Sequence, residues 1–161
     1  MVFVEPRADV LEIEDDAVLL GGPGVLAGVG MSMPAISPIQ LAGELVAGGT
    51  VYANEAESGN VRVALGGRLG LELWPADVPI EFVGRARFGY GALFYRGETY
   101  HSFVPETGVS IAWRIADVPE KGTTTLGING SFQAFIGDKP AAGGVVGLEA
   151  CFWFGEHDTV F

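Results

Sequence analysis

Apolar and polar positions alternate with a period of two along most of the chain, which is the periodicity of β-strands that present two unlike faces. Over 61–73, Val61, Val63, Leu65, Leu69, Leu71 and Leu73 share one face, opposite Arg62, Ala64, Gly66, Arg68, Gly70 and Glu72. Over 80–94, Ile80, Phe82, Ala86, Phe88, Tyr90 and Phe94 lie opposite Glu81, Arg85, Arg87, Gly89 and Gly91. Three later segments repeat the pattern. Val109, Ile111, Trp113 and Ile115 oppose Ser110, Ala112 and Arg114; Leu126, Ile128, Phe132 and Ile136 oppose Asn129, Ser131 and Gln133; Val146, Leu148, Phe152 and Phe154 oppose Gly147, Glu149 and Cys151.

The pattern predicts seven strands, at roughly 24–32, 38–48, 61–74, 79–95, 107–116, 123–137 and 143–155, each bounded to within a few residues. An eighth is placed in 2–14, where Leu11 and Ile13 alternate with Val10, Glu12 and Glu14, so that 1–20 is a weak first strand or an N-terminal arm. Residues 156–161 are expected to form a C-terminal tail. The fold class expected is all-β: one domain over 1–161, an up-and-down antiparallel barrel of about eight strands, of the transmembrane type.

Three proline-bearing segments recur about forty residues apart: Pro34-Ala35-Ile36-Ser37-Pro38, Pro75-Ala76-Asp77-Val78-Pro79 and Ile115-Ala116-Asp117-Val118-Pro119. Proline interrupts a sheet ladder and suits turns, so these are read as short turns on one rim. The remaining connections, Gly48 to Asn60, Tyr95 to Thr107 and Asp138 to Gly144, are expected to be longer loops on the other rim. A competing reading makes the uncharged stretch 17–43 a membrane-spanning helix. Pro23, Pro34 and Pro38, with Gly21, Gly22, Gly24, Gly28 and Gly30, argue for strand, turn and strand instead.

Alternation does not say which face is inside; the polar face does. A strand surface facing water is usually dressed in charged and hydroxyl side chains, whereas this one is mainly Gly, Ala and Ser with sparse charges, as a narrow crowded interior would require. Its charges are Arg62, Arg68, Arg85, Arg87 and Arg114 against Glu44, Glu72, Glu81 and Glu149, a nearly balanced set expected to pair inside a closed lumen. Such a set could also line an ion path, but eight strands leave an interior that side chains largely fill. Trp74, Phe94, Tyr95, Trp113, Trp153 and Phe154 sit near strand ends, where interfacial girdles occur.

Composition narrows the function classes. Twenty acidic residues against nine basic ones give a formal charge of −11, which argues against a phosphate-binding surface and so against nucleic acid as a partner. Many acids, among them Glu5, Asp9, Glu12, Glu14, Asp15, Asp16, Glu55 and Glu57, are expected on rims and tails. The single Cys151 excludes an internal disulfide and leaves too little sulfur for a structural zinc site; no cofactor and no metal are expected. Met1 to Arg7 lacks a basic start followed by an apolar core, so an exported protein would be present here in its mature form.

In Val61 to Tyr95 and Thr123 to Phe154, the sequence resembles the small outer-membrane β-barrels of the OmpA/OmpW-like superfamily, a likeness of pattern over roughly 130 residues. The family often ends in an aromatic residue recognised during barrel assembly, which Phe161 matches, although His157 and Thr159 break the alternation before it. The resemblance implies a bacterial outer-membrane location and membrane lipid as a partner. The function expected is a structural or adhesive barrel with a plugged interior, contacting an envelope protein partner through loops 49–60 and 95–107. The alternatives are a narrow transporter of ions or small apolar solutes and a soluble calycin-like binding barrel. No enzyme is expected. The adjacent His101 and Ser102, with Glu98 or Glu106, supply a weak hint of a lipid hydrolase.

Overall fold

The computed structural model describes residues 1–33, 39–55, 57–71, 80–118 and 122–154. Eight antiparallel strands close into a barrel in chain order: β1 (Val2–Ile13), β2 (Val18–Met33), β3 (Ile39–Val51), β4 (Gly59–Leu71), β5 (Ile80–Tyr95), β6 (Glu98–Val118), β7 (Gly122–Gly137) and β8 (Ala141–Phe154). The eighth strand expected in 2–14 is β1. β1 pairs with β2 from Val2↔Val29 to Ile13↔Val18 and with β8 from Val2↔Phe152 to Ile13↔Ala141, and this second ladder closes the sheet.

The register fixes the geometry. From Met31 the paired residues run Gly43, Gly67, Ala86, Thr107, Phe132, Gly144 and Val10, and the row returns to β2 at Gly21, ten residues from its start. A shear of that size over eight strands tilts them by about 40–45° and leaves an interior just wide enough to be filled by side chains.

Apolar side chains project outward on all eight strands, from Val2 and Val4 on β1 to Leu148 and Phe152 on β8, while the opposite face is buried. That is the inverse of a soluble ligand-binding barrel, whose apolar face lines the interior. On β6, Trp113 and His101 face outward twelve residues apart, about 40 Å along the strand and about 25–30 Å along the barrel axis, which matches the apolar band of a membrane barrel. Of the girdle residues expected from sequence, Trp113, Phe94 and Phe154 point outward, Tyr95 and Trp153 point into the lumen, and Trp74 lies outside the described residues.

The long loops expected on one rim are absent. Residues 95–107 are the end of β5, a two-residue turn at Arg96-Gly97 and the first half of β6. Both turn residues have positive φ (53° and 79°), as a tight hairpin turn that follows the strand twist demands. Among the described residues, only 52–55, 57 and 58 of 49–60 and 138–140 of 138–144 lie outside strands. On the opposite rim, beside the chain ends, Pro34–Pro38 and Pro75–Pro79 fall outside the described residues, while Ile115–Val118 of the third repeat continues β6.

Candidate functional site

Buried charge converges in the lumen. β1 supplies inward side chains in the order Phe3, Glu5, Arg7, Asp9, Leu11, Ile13: an apolar end, three charges, then an apolar end. Around those charges stand Glu44 on β3, Arg62 and Arg68 on β4, Arg85 and Arg87 on β5, Glu106 on β6 and Glu149 on β8. Five arginines thus meet five carboxylates, and no side chain of the ten is more than 5% exposed.

The ten form one connected set. Glu106 receives Arg7 at 3.2 Å and Arg87 at 3.0 Å, and it also pairs with Arg62. Glu5 pairs with Arg85 at 2.9 Å, Arg87 at 3.0 Å and Arg7 at 3.4 Å. Glu44 accepts from Arg87 Nε at 2.6 Å and from Arg68 Nε. Arg68 also donates both terminal nitrogens to Glu149 at 2.8 Å, a bidentate fork, and Arg85 reaches the same carboxylate at 3.2 Å. Asp9 accepts from Arg7 Nε at 2.7 Å, Thr50 Oγ1 at 2.7 Å and Gln133 Nε2 at 3.1 Å. Gln133 Oε1 in turn accepts from Arg62 at 3.0 Å and Arg7 at 3.3 Å, which ties in β7. Taking ions out of water costs several kcal/mol each, so such a set persists only when its charge is balanced; among the described residues Arg85 Nε and Arg87 Nη2 are buried without a hydrogen-bond partner.

Six of the residues singled out from sequence are members: Glu44, Arg62, Arg68, Arg85, Arg87 and Glu149. Arg114 and Glu81 are half-buried, each with a partner, and are not among the ten; Glu72 lies outside the described residues. Glu5, Arg7, Asp9 and Glu106 were missed. Glu5 and Asp9 belong to the lumen and not to a rim, because they occupy the inward positions of β1 between Val4, Pro6, Ala8 and Val10. Glu106 was expected in a loop that is strand. Among the described residues, no cluster of His, Cys, Asp and Glu is arranged to hold a metal ion.

Apolar side chains seal the network on both sides. Towards the hairpin rim, Leu11, Ile13, Leu20, Tyr52, Leu93, Tyr95, Val104 and Phe135 pack together. Towards the chain ends, Phe3 packs with Val46, Ala64 and Cys151 and places its ring 4.2 Å beneath the Arg68 guanidinium, a cation–π contact. Small residues make this density possible. A Cβ on Gly28 would lie 2.4 Å from the Phe3 ring, and one on Gly66 2.8 Å from Arg87 Cγ.

On the hairpin rim, two cations tie the four turns together. Lys139 pairs with Asp16 at 3.2 Å and Asp15 at 3.8 Å, while Arg96 spans from Asp16 at 3.8 Å to Glu55 at 3.5 Å and stacks on Tyr95. The hydrogen bond from Lys139 holds the Asp16 carboxyl below its ordinary range. A depressed folded-state pKa adds stability above the unfolded value, about 3.9, and that stability is lost as pH falls through the folded value. Wild type should therefore melt above Asp16→Asn at pH 7, with the gap closing below about pH 4. A gap independent of pH would remove the carboxylate from the account.

The possible hydrolytic pair does not assemble. His101 and Ser102 are neighbours on β6, so strand alternation sends them to opposite faces: His101 lies outside, stacked on Tyr90 and hydrogen-bonded to its hydroxyl, while Ser102 is buried in the lumen. Glu106 is committed to three arginines and Glu98 accepts from Tyr100.

No family model matches the chain, and no curated protein matches its sequence. Its fold matches solved structures. It is similar to Neisserial surface protein A (8% identity, TM-score 0.58, covering 92% of this chain and 94% of that one). It is similar to the outer membrane enzyme PagL (14%, 0.59, 91% and 97%) and to Ail, the attachment invasion locus protein of Yersinia pestis (11%, 0.50, 95% and 96%). At these identities the likeness is one of fold: a small eight-stranded barrel of the kind found in outer membranes.

Proposed function

We propose that this protein is a non-conducting barrel of the bacterial outer membrane, with a structural or adhesive role and an interior plugged by its own charges. The observation that carries the reading is the neutral set of five arginines and five carboxylates, shut between two apolar clusters. An ion entering it would have to displace a partner from a buried, charge-balanced set, at a cost of several kcal/mol. The outward apolar faces support a bilayer as the surrounding medium, and the fold shared with outer-membrane barrels, one of them an attachment invasion protein, supports the location and the adhesive role.

Contact with an envelope partner, first expected through loops 49–60 and 95–107, is assigned instead to the hairpin rim as a whole. Its four short turns present Glu14, Asp15, Asp16, Glu55, Glu57 and Asp138 against Arg96 and Lys139. The deciding experiment is single-channel recording in a planar bilayer. Wild type should insert without a steady open level, whereas a large, constant conductance from the monomer would replace the plugged reading with the narrow transporter.

A further inference from the structure

One polar contact on the outer wall is used by neither the plug nor the rim. Along β5 the outward residues from Phe82 to Phe94 are glycine, alanine or aromatic, and Tyr90 alone among them carries a hydrogen-bonding group. Its ring stacks on the His101 imidazole of β6, with centroids 5.7 Å apart and planes within 18°, and its hydroxyl is bonded to His101 Nδ1. The register accounts for the meeting. His101 lies opposite Ala92, whose small side chain lets the imidazole lean past it onto Tyr90, a member of the next outward pair, Tyr90↔Phe103. A ring held by stacking on one face and by a bond at one nitrogen has its orientation fixed. When the phenol donates to Nδ1, the proton of the neutral imidazole sits on Nε2, and that N–H is directed away from Tyr90 on an exposed side chain.

Depth gives this donor a use. His101 marks the hairpin-side edge of the apolar band, twelve residues from Trp113 along β6, where hydrocarbon gives way to headgroup oxygens. On the turn side of it Thr99, the neighbouring outward residue, adds a hydroxyl. On the other side Phe103 and Phe88 stack at 6.3 Å with planes within 7°, a flat apolar seat. From the rim towards mid-depth the wall thus presents hydroxyl, imidazole, phenol and two phenyl rings, which is the polarity order of a lipid from headgroup to acyl chain.

We propose that this strip of β5 and β6 holds one membrane lipid by its headgroup phosphate, with His101 Nε2 donating to a phosphate oxygen and the upper acyl chain lying on Phe103 and Phe88. The proposal rests on the membrane reading above and gives the lipid a site. A phosphate is the fitting acceptor because a hydrogen bond to an ionised oxygen is roughly twice as strong as one to a neutral ester or sugar oxygen. Tyr90 is a positioning residue, acting through the orientation of the imidazole.

The test uses the whole chain refolded in a maltoside detergent, whose headgroup has no phosphate, with heat-dependent gel migration showing that each variant has folded. Phosphatidylglycerol, a diacyl glycolipid without phosphate, and inorganic phosphate are titrated separately, and bound molecules are counted by native mass spectrometry. Wild type should retain one phosphatidylglycerol more tightly than the glycolipid. His101→Leu, which keeps an apolar side chain on the wall, should weaken that binding about tenfold, the worth of one hydrogen bond to a charged group, and His101→Gln, which keeps a donor, should restore part of it. Tyr90→Phe keeps the stacked ring and should fall between wild type and His101→Leu; it carries the test alone should both His101 variants fail to fold. Equal retention by wild type and the folded variants, equal retention of glycolipid and phospholipid, or binding of inorganic phosphate as tight as that of the lipid would overturn the proposal while leaving the membrane reading intact. A wild type that stays folded and monomeric in water without detergent would defeat the membrane reading instead.

Discussion

Replacing Glu106 by alanine should be among the most damaging single changes this barrel can suffer, lowering unfolding free energy in detergent by about 3–5 kcal/mol. The carboxylate is buried and shared by Arg7, Arg62 and Arg87, and among the described residues Arg62 has no other ion pair with an acid. Its loss turns a set of five positive and five negative charges into one with a buried surplus positive charge, in a space that apolar clusters close off from bulk water on both sides. Two further variants separate charge from volume. Glu106→Gln keeps the shape and an acceptor and should recover part of the loss, while the double change Arg62→Met with Glu106→Met removes a pair without leaving a bare ion and should cost much less than Glu106→Ala. Urea or guanidinium titration of the three in one detergent gives the order. If Glu106→Ala costs under about 1 kcal/mol, the lumen is hydrated enough to solvate the arginines and the plug is no barrier.

The contrast between that network and the expectation drawn from sequence shows where periodicity carries information. Within the apolar band the two faces differ sharply, so Arg62, Arg68, Arg85, Arg87, Glu44 and Glu149 were legible: each sits opposite a run of aliphatic or aromatic residues that must face lipid. Beyond the band the contrast fades. From Glu98 to Glu106, β6 alternates Tyr100, Ser102 and Val104 inward with Thr99, His101 and Phe103 outward, both faces mixed, and a strand with two mixed faces reads as a loop. On β1, which matches the eighth strand placed in 2–14, the inward charges escaped for a related reason. Its inward face changes from Phe3 to three charges and then to Leu11 and Ile13, because it crosses both apolar seals and the charged layer, while Val2, Val4, Pro6, Ala8 and Val10 stay apolar outside. The signal that would have found Glu5, Arg7 and Asp9 was that outward run.

The rims were misjudged through composition. Acids, hydroxyls and histidine in 95–107 resemble a loop in residue type, yet register pairing carries Glu98↔Tyr95 through to Trp113↔Ile80 without interruption. Strands that outrun the bilayer place polar residues in a regular ladder, and a two-residue turn at Arg96-Gly97 replaces the expected loop. A partner docking on this rim, as proposed above, would meet a rigid surface pinned by Lys139 and Arg96, with little loop length to mould around it.

The second large effect concerns the outer wall. Val109 lies on β6 between His101 and Trp113, near the middle of the apolar band, and is 69% exposed. Val109→Arg should lower stability in a bilayer by about 2–4 kcal/mol and reduce insertion, because a guanidinium at mid-depth loses its hydration with no partner in reach. Val51 is equally exposed, at 70%, but ends β3 at the hairpin rim. Val51→Arg should cost at most about 1 kcal/mol, since its side chain can reach the headgroups. Each variant would be refolded into phospholipid vesicles and its unfolding titrated with guanidinium, since only a lipid core distinguishes the two depths. Equal costs at the two positions would mean that the outer wall does not meet a hydrocarbon layer. A stabilised, water-soluble Val109→Arg would show that the apolar face is covered by protein and not by lipid.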